Sequence, residues 1–103
     1  MWAQIIKTHL KPGMDSDFVG LMDQFKAIEQ PDSGLLRTYA LRDAKDPSAV
    51  YMMVIFESEE KARLREKDPR RTEGLKAAGQ TMGQIFEGDM EFADLDVLVE
   101  SAF

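Results

Sequence analysis

Few side chains in this sequence carry chemistry of their own, and they are scattered rather than clustered. His9 is the one imidazole, hence the one side chain expected to titrate near neutrality. As a candidate catalytic residue it would act as a general base or contact a ligand. Strict alternation, however, puts it on a strand face with Lys7 and Lys11, where a partly exposed histidine at a sheet edge is the simpler reading. Tyr39 and Tyr51 could bond a phenolic ligand or pack with their hydroxyls near a rim. Arg37, on an otherwise apolar strand, needs a carboxylate across an interface or an acidic ligand, because an unpaired buried charge is costly. Met52, Met53 and Met82 suit an adaptable apolar pocket, although methionines at such spacing commonly fill cores. Glu87, Asp89, Glu91, Asp94 and Asp96 are dense but fit no EF-hand spacing, so they read as solvated charge with no metal site.

Composition removes whole classes of function. The 103 residues contain no cysteine, which excludes thiolate catalysis, disulfides and cysteine-ligated metals. A formal charge of −6 makes the chain a poor binder of nucleic-acid phosphate. No apolar run approaches a membrane span, and the N-terminal residues show no secretion signal, so a cytoplasmic protein is expected. There is no phosphate-binding glycine loop, nucleophile elbow or His-Glu-x-x-His helix.

The elements that must position these residues follow from periodicity. No repeat or linker divides the chain, so residues 1–103 are read as a single domain. Trp2 to Lys11 alternates as a strand, with Trp2, Gln4, Ile6, Thr8 and Leu10 on one face. Pro12-Gly13 stops it, and Asp15 or Ser16 can cap a helix whose stripe is Phe18, Leu21, Met22, Phe25 and Ile28. Leu35–Arg42 and Ala49–Glu57 read as a hairpin around residues 43–48. The run Ala49–Phe56 is apolar on both faces, so it must be covered twice, and a partner subunit is the natural second cover. Residues 57–73 carry 12 charged side chains in 17 and read as an exposed, salt-bridged helix broken at Asp68-Pro69. Leu75, Ala78, Met82 and Ile85 then resume an apolar helical stripe, and Glu91–Glu100 alternates as a last strand. The order predicts an α+β, ferredoxin-like β-α-β-β-α-β domain.

Several pieces together resemble the antibiotic biosynthesis monooxygenase family. They are Leu10-Lys-Pro-Gly13, Gly34-Leu-Leu-Arg37, Arg42-Asp43 through Asp46-Pro47, Phe56-Glu57 and Ser58-Glu-Glu60, in order over nearly the whole chain. The resemblance implies a dimeric α+β barrel, two four-stranded sheets packed face to face, with a pocket between sheet and helices in each subunit. Members include cofactor-independent oxygenases of aromatic polyketide intermediates and enzymes that open haem. Haem-opening members carry an asparagine on strand one, a tryptophan ending strand three and a histidine on helix two. Here Ile6 and Phe56 stand at the first two positions, helix two has no histidine, and Arg70 or Arg71 follows its proline. Haem degradation is therefore the less favoured activity. Phe56, in place of an indole that is argued to assist electron transfer to oxygen, becomes the second candidate catalytic residue. Trp2, on the same strand face as Ile6, could supply an indole or act as a core anchor.

The expected function is oxidation of an electron-rich aromatic, such as an anthrone or hydroquinone, by O2 with no cofactor. The protein would deprotonate and orient a substrate that itself reduces oxygen. The helix-facing side of the sheet nominates Gln4, Ile6, Thr8, Met52, Val54 and Phe56 as ligand-binding residues, with Met82 closing the pocket. The alternative is a non-catalytic homodimeric module that binds a small ligand or supports an interaction. A space filled by side chains behind strand three would count against the enzyme, and an open one holding a polar group would favour it.

Overall fold

The computed structural model describes all 103 residues. Strand β1 (Trp2–Leu10) is followed by helix α1 (Asp15–Ala27), the hairpin of β2 (Leu35–Arg42) and β3 (Ala49–Phe56), and helix α2 (Glu59–Glu66). A 3-10 turn (Pro69–Arg71) leads into helix α3 (Thr72–Ile85), which runs directly into β4 (Phe86–Asp96). The strands form one antiparallel sheet in the order β2-β3-β1-β4, the β-α-β-β-α-β topology expected from the periodicity.

Local chemistry accounts for most of the boundaries. In the hairpin loop, Asp43 Oδ1 accepts from the amides of Lys45 (2.8 Å) and Asp46 (3.2 Å), and Asp46 Oδ1 from Ser48. These are side-chain mimics of backbone turns. Ser58 caps α2 by accepting from the Lys61 amide at 3.2 Å. Asp68 caps the 3-10 turn, with Pro69 at its first position, where a missing N–H does no harm. The break expected at Asp68-Pro69 falls there.

Three expectations about boundaries and surfaces are corrected. No side chain caps α1, because the helix begins at Asp15 and its N-cap, Met14, offers no oxygen acceptor; the Asp15 carboxylate instead accepts from Arg42 at 2.7 Å. The last strand spans Phe86–Asp96 rather than Glu91–Glu100. Its pairing with β1 ends at Trp2, opposite Asp96. Gly88, at φ +77°, lies where the β1–β4 register shifts between Lys7 and His9, a backbone conformation glycine adopts without strain. The charged stretch 57–73 is not exposed throughout, since Ala62 and Arg71 are buried.

The helices cover one face of the sheet. Leu10, Phe18, Leu21, Val50, Met52, Ala78, Ile85 and Phe86 form the main core, with Phe18 edge-on to Phe86 at 5.8 Å. Trp2, Phe56 and Ala62 form a smaller cluster under α2. The opposite face carries Ile5, Tyr51, Met53 and Ile55 with nothing of this chain packed over them.

Helices α1 and α3 approach closely at Gly74, where a Cβ would collide with the Ile28 side chain. Gly74→Ala is expected to destabilise the protein by about 1–3 kcal/mol through overpacking, despite alanine's better helix propensity. Chemical denaturation of Gly74→Ala, Ile28→Ala and the double variant checks this. The pair should be strongly non-additive, with Ile28→Ala relieving the collision.

Candidate functional site

Between the helix-facing side of the sheet and the helices lies an open cavity of about 350 Å³. That volume falls in the range of small-molecule sites. β1 contributes Gln4 and Ile6, β3 Met52 and Val54, and β2 Leu35, Thr38 and Tyr39. α1 contributes Met22, Phe25 and Lys26, and Glu29 follows it; Arg65, Glu66, Arg71, Leu75 and Met82 line the other side. The floor is apolar and thioether-rich, and the charges sit together where α2 and the 3-10 turn meet the end of α1.

Those charges are organised by one buried ion pair. Arg65 grips Glu29 as a fork, Nε to Oε2 at 2.9 Å and Nη2 to Oε1 at 2.6 Å, with both side chains mostly buried. The Arg65 guanidinium also lies 5.2 Å from the Phe56 ring centroid. Burial alone would push the Glu29 carboxyl up. Hydrogen bonds from Arg65 and Ser33 and the charges of Arg65 and Arg71 together outweigh it, holding Glu29 below its ordinary value. Glu66 is engaged by Arg63 at 2.9 Å. Gln4 donates to Asp94 at 2.9 Å.

Arg71 is different. It is 4% exposed, and its only side-chain hydrogen bond runs from Nη1 to the Arg65 carbonyl at 3.3 Å. Its Nε is buried without an acceptor. Burial, then the neighbouring Arg65 charge, push this guanidinium below its usual range, while Glu29 and Asp68 oppose the shift.

Of the residues nominated from sequence, Gln4, Ile6, Met52, Val54 and Met82 line the cavity together. Thr8 and Phe56 lie outside its walls. Thr8 is buried in the core beside Val50, and Phe56 is sealed between Trp2, at 6.0 Å and 48°, and Ala62. His9 projects from the opposite face, paired across strands with Ala49 and Glu87. Trp2 is a core anchor, with the Arg63 guanidinium 5.1 Å from its ring. Arg37 is exposed on the open face, which Tyr39 shares by register, opposite Met53, although Tyr39 also borders the cavity at the edge strand. No group of three or more metal-ligating side chains converges anywhere. No helix is long and apolar enough to cross a membrane.

Sequence reasoning missed Met22 and Phe25 as lining residues, having assigned them to core packing, and it missed Arg65 and Arg71 altogether. A signal for Arg71 does exist. Positions 71, 75, 78, 82 and 85 share one helical stripe, so the apolar face of α3 extends back one turn to an arginine.

No sequence-family profile matches the chain, and no curated protein matches it. Solved structures do. A candidate antibiotic biosynthesis monooxygenase from Caulobacter crescentus superposes with a TM-score of 0.76 at 16% identity, covering 95% of this chain and 90% of that one. A mutant form of SnoaB, a cofactor-independent oxygenase from Streptomyces nogalater, gives 0.74 at 12%, covering 96% and 94%. A candidate antibiotic biosynthesis monooxygenase from Nitrosomonas europaea gives 0.71 at 15%, covering 96% and 100%. At such identities the likeness speaks to architecture. This chain has the ferredoxin-like α+β fold of the antibiotic biosynthesis monooxygenases.

Proposed function

We propose that residues 1–103 form a single cytoplasmic domain that dimerises and oxidises an electron-rich aromatic small molecule with O2, without a cofactor. The observation that carries this reading is the open cavity between sheet and helices, apolar along its floor and polar at one end. It is the space left unfilled behind β3 that an oxygenase of this architecture needs. The fold shared with a cofactor-independent oxygenase supports the choice of chemistry.

In that chemistry an anthrone-type methylene loses a proton, and its carbanion passes one electron to O2. The radical and superoxide combine, and with a proton give a hydroperoxide, which loses water to leave a carbonyl. One methylene and one O2 become one carbonyl and one water. The cavity residues would bury the ring system, exclude bulk water and hold the anion against fixed positive charge.

Homodimerisation follows from the uncovered sheet face. Ile5, Tyr51, Met53 and Ile55 are joined there by Leu41 and Leu95, both more than two-fifths exposed. On β4, Ala93 and Leu95 fall on this face, away from the chain's own helices. An apolar face of this extent needs a cover, and a second copy supplies an identical one.

A second reading, a ligand-binding module without turnover, is favoured by one observation. Both carboxylates that line the cavity are committed to arginines, and His9 lies on the other face, which leaves no free general base.

Oxygen uptake by the purified, metal-free protein against a panel of anthrones and hydroquinones separates the two. The oxygenase should consume O2 above the spontaneous rate with quinone formation seen by absorbance, and Val54→Trp, which fills the cavity, should abolish the excess. Binding of the same panel with no excess uptake would establish the module instead.

A further inference from the structure

Arg71 is an unusual group to bury. The chain has 19 carboxylates against 13 basic side chains, yet none of them lies within ion-pair distance of this guanidinium. Arg65 takes Glu29, and Arg70 takes Asp32 and Asp68. Arg37 also lacks a carboxylate, but it is exposed and water satisfies it. Arg71 is 4% exposed, its Nε is buried without an acceptor, and its side chain makes one long hydrogen bond, to a carbonyl. Leaving such donors unmet is costly, and native structures rarely do so without a function.

Its surroundings say what is missing. Arg71 lines the cavity wall beside Arg65 and Leu75, at the end of the cavity where the charges gather. Arg65 and Glu29 neutralise each other, so the cavity keeps two cations without an ion-pair partner, the exposed Lys26 ammonium and the buried guanidinium of Arg71. The remaining wall, through Phe25, Met52, Val54 and Met82, is apolar. An occupant that satisfies both ends has an anionic oxygen group at one end and a ring system at the other. Arginine's planar fork matches a carboxylate with two parallel hydrogen bonds.

We infer that Arg71 anchors the carboxylate of the cavity's ligand, so that this site takes aromatic acids in preference to neutral aromatics. The inference deepens the proposed function and rests on its reading of the cavity as a small-molecule site. It assigns the orientation as well, with the acid group at Arg71 and the rings over Met52 and Met82.

The test is calorimetric titration at neutral pH with 2-naphthoate and with its neutral isostere 2-naphthamide. The methyl signals of Met22, Met52 and Met82 report whether either probe enters the cavity. Naphthoate should bind at least about tenfold more tightly than naphthamide, as expected for a charge-assisted pair shielded from water. Arg71→Met should bring the two affinities together mainly by weakening the acid, and Arg71→Lys should keep part of the preference. Equal affinities in the wild-type protein would overturn the anchor while leaving the small-molecule cavity standing. So would a preference that survives in Arg71→Met. If neither probe moves the methionine signals, the reading of the cavity falls too. If Arg71→Met does not fold, Lys26→Met decides: the preference for the acid should survive in it, and its loss there would overturn the assignment to Arg71.

Discussion

Glu29→Gln is expected to lower the stability of this protein at neutral pH by about 1.5–3 kcal/mol, the effect of removing the charge from a part-buried, hydrogen-bonded ion pair. The substitution keeps the shape of the side chain and removes only its charge. It leaves Arg65 without its anion, and it deprives Arg71 of the one nearby carboxylate that partly offsets its charge from within the cavity wall. Two guanidinium groups would then share a largely buried corner with little to balance them. For a domain of about this size, such a loss corresponds to a drop in Tm of roughly 10 °C.

The same pair sets a pH dependence with a definite sign. The Glu29 carboxyl titrates below its ordinary value of 4.5 in the folded protein, so folding favours its ionised form. Its contribution is therefore present in full above the unfolded-state value. It begins to fall as the pH drops through about 4.5, and it is lost once the pH passes below the folded-state value. Urea denaturation between pH 7 and pH 3 should show the wild-type protein losing more stability than Glu29→Gln over that window. Parallel curves for the two proteins would mean that the Arg65–Glu29 fork contributes nothing net.

The second large effect concerns the open sheet face. Met53 sits in the middle of β3 between Ile5 of β1 and Tyr39 of β2, with no cation directly across from it. Met53→Asp would set a carboxylate into the apolar centre of the proposed two-sheet interface, a desolvation cost that Lys7 and Arg37, its diagonal neighbours on that face, offset only in part. The proposed dimer is expected to come apart, with the mass measured by light scattering falling from twice that of the chain to that of the chain. The monomer left behind should be less stable, since its apolar face is returned to water. A wild-type protein that is already monomeric would remove the interface from this account.

Much of the architecture was legible without the fold. Alternation identified β1, two strand-like runs around the turn residues 43–48 identified β2 and β3, each within a residue or two, and the stripe from Phe18 to Phe25 identified α1. Asp68-Pro69 marked the break ahead of α3. These are local signals, because a strand or helix declares its buried face through its own period. The boundaries that were missed had non-local causes. β4 begins at Phe86, where α3 hands over directly, and its pairing with β1 ends at Trp2 opposite Asp96. Helix α1 begins one residue ahead of the expected cap, with Met14 at the N-cap, and Asp15, inside the helix, pairs with Arg42 from 27 residues away.

The site divides along the same line. Periodicity alone determined that Gln4, Ile6, Met52 and Val54 share the helix-facing side of the sheet, and that β3 is apolar on both faces. Only the tertiary structure decided that Thr8 and Phe56, on that same side, are packed shut while the space between them stays open. It also decided that two arginines from a run of surface-like charge turn inward. Period reports which way a side chain points. A cavity is the gap left when several elements meet, and its position depends on how closely α1, α2 and α3 settle on the sheet, a distance that no single segment encodes.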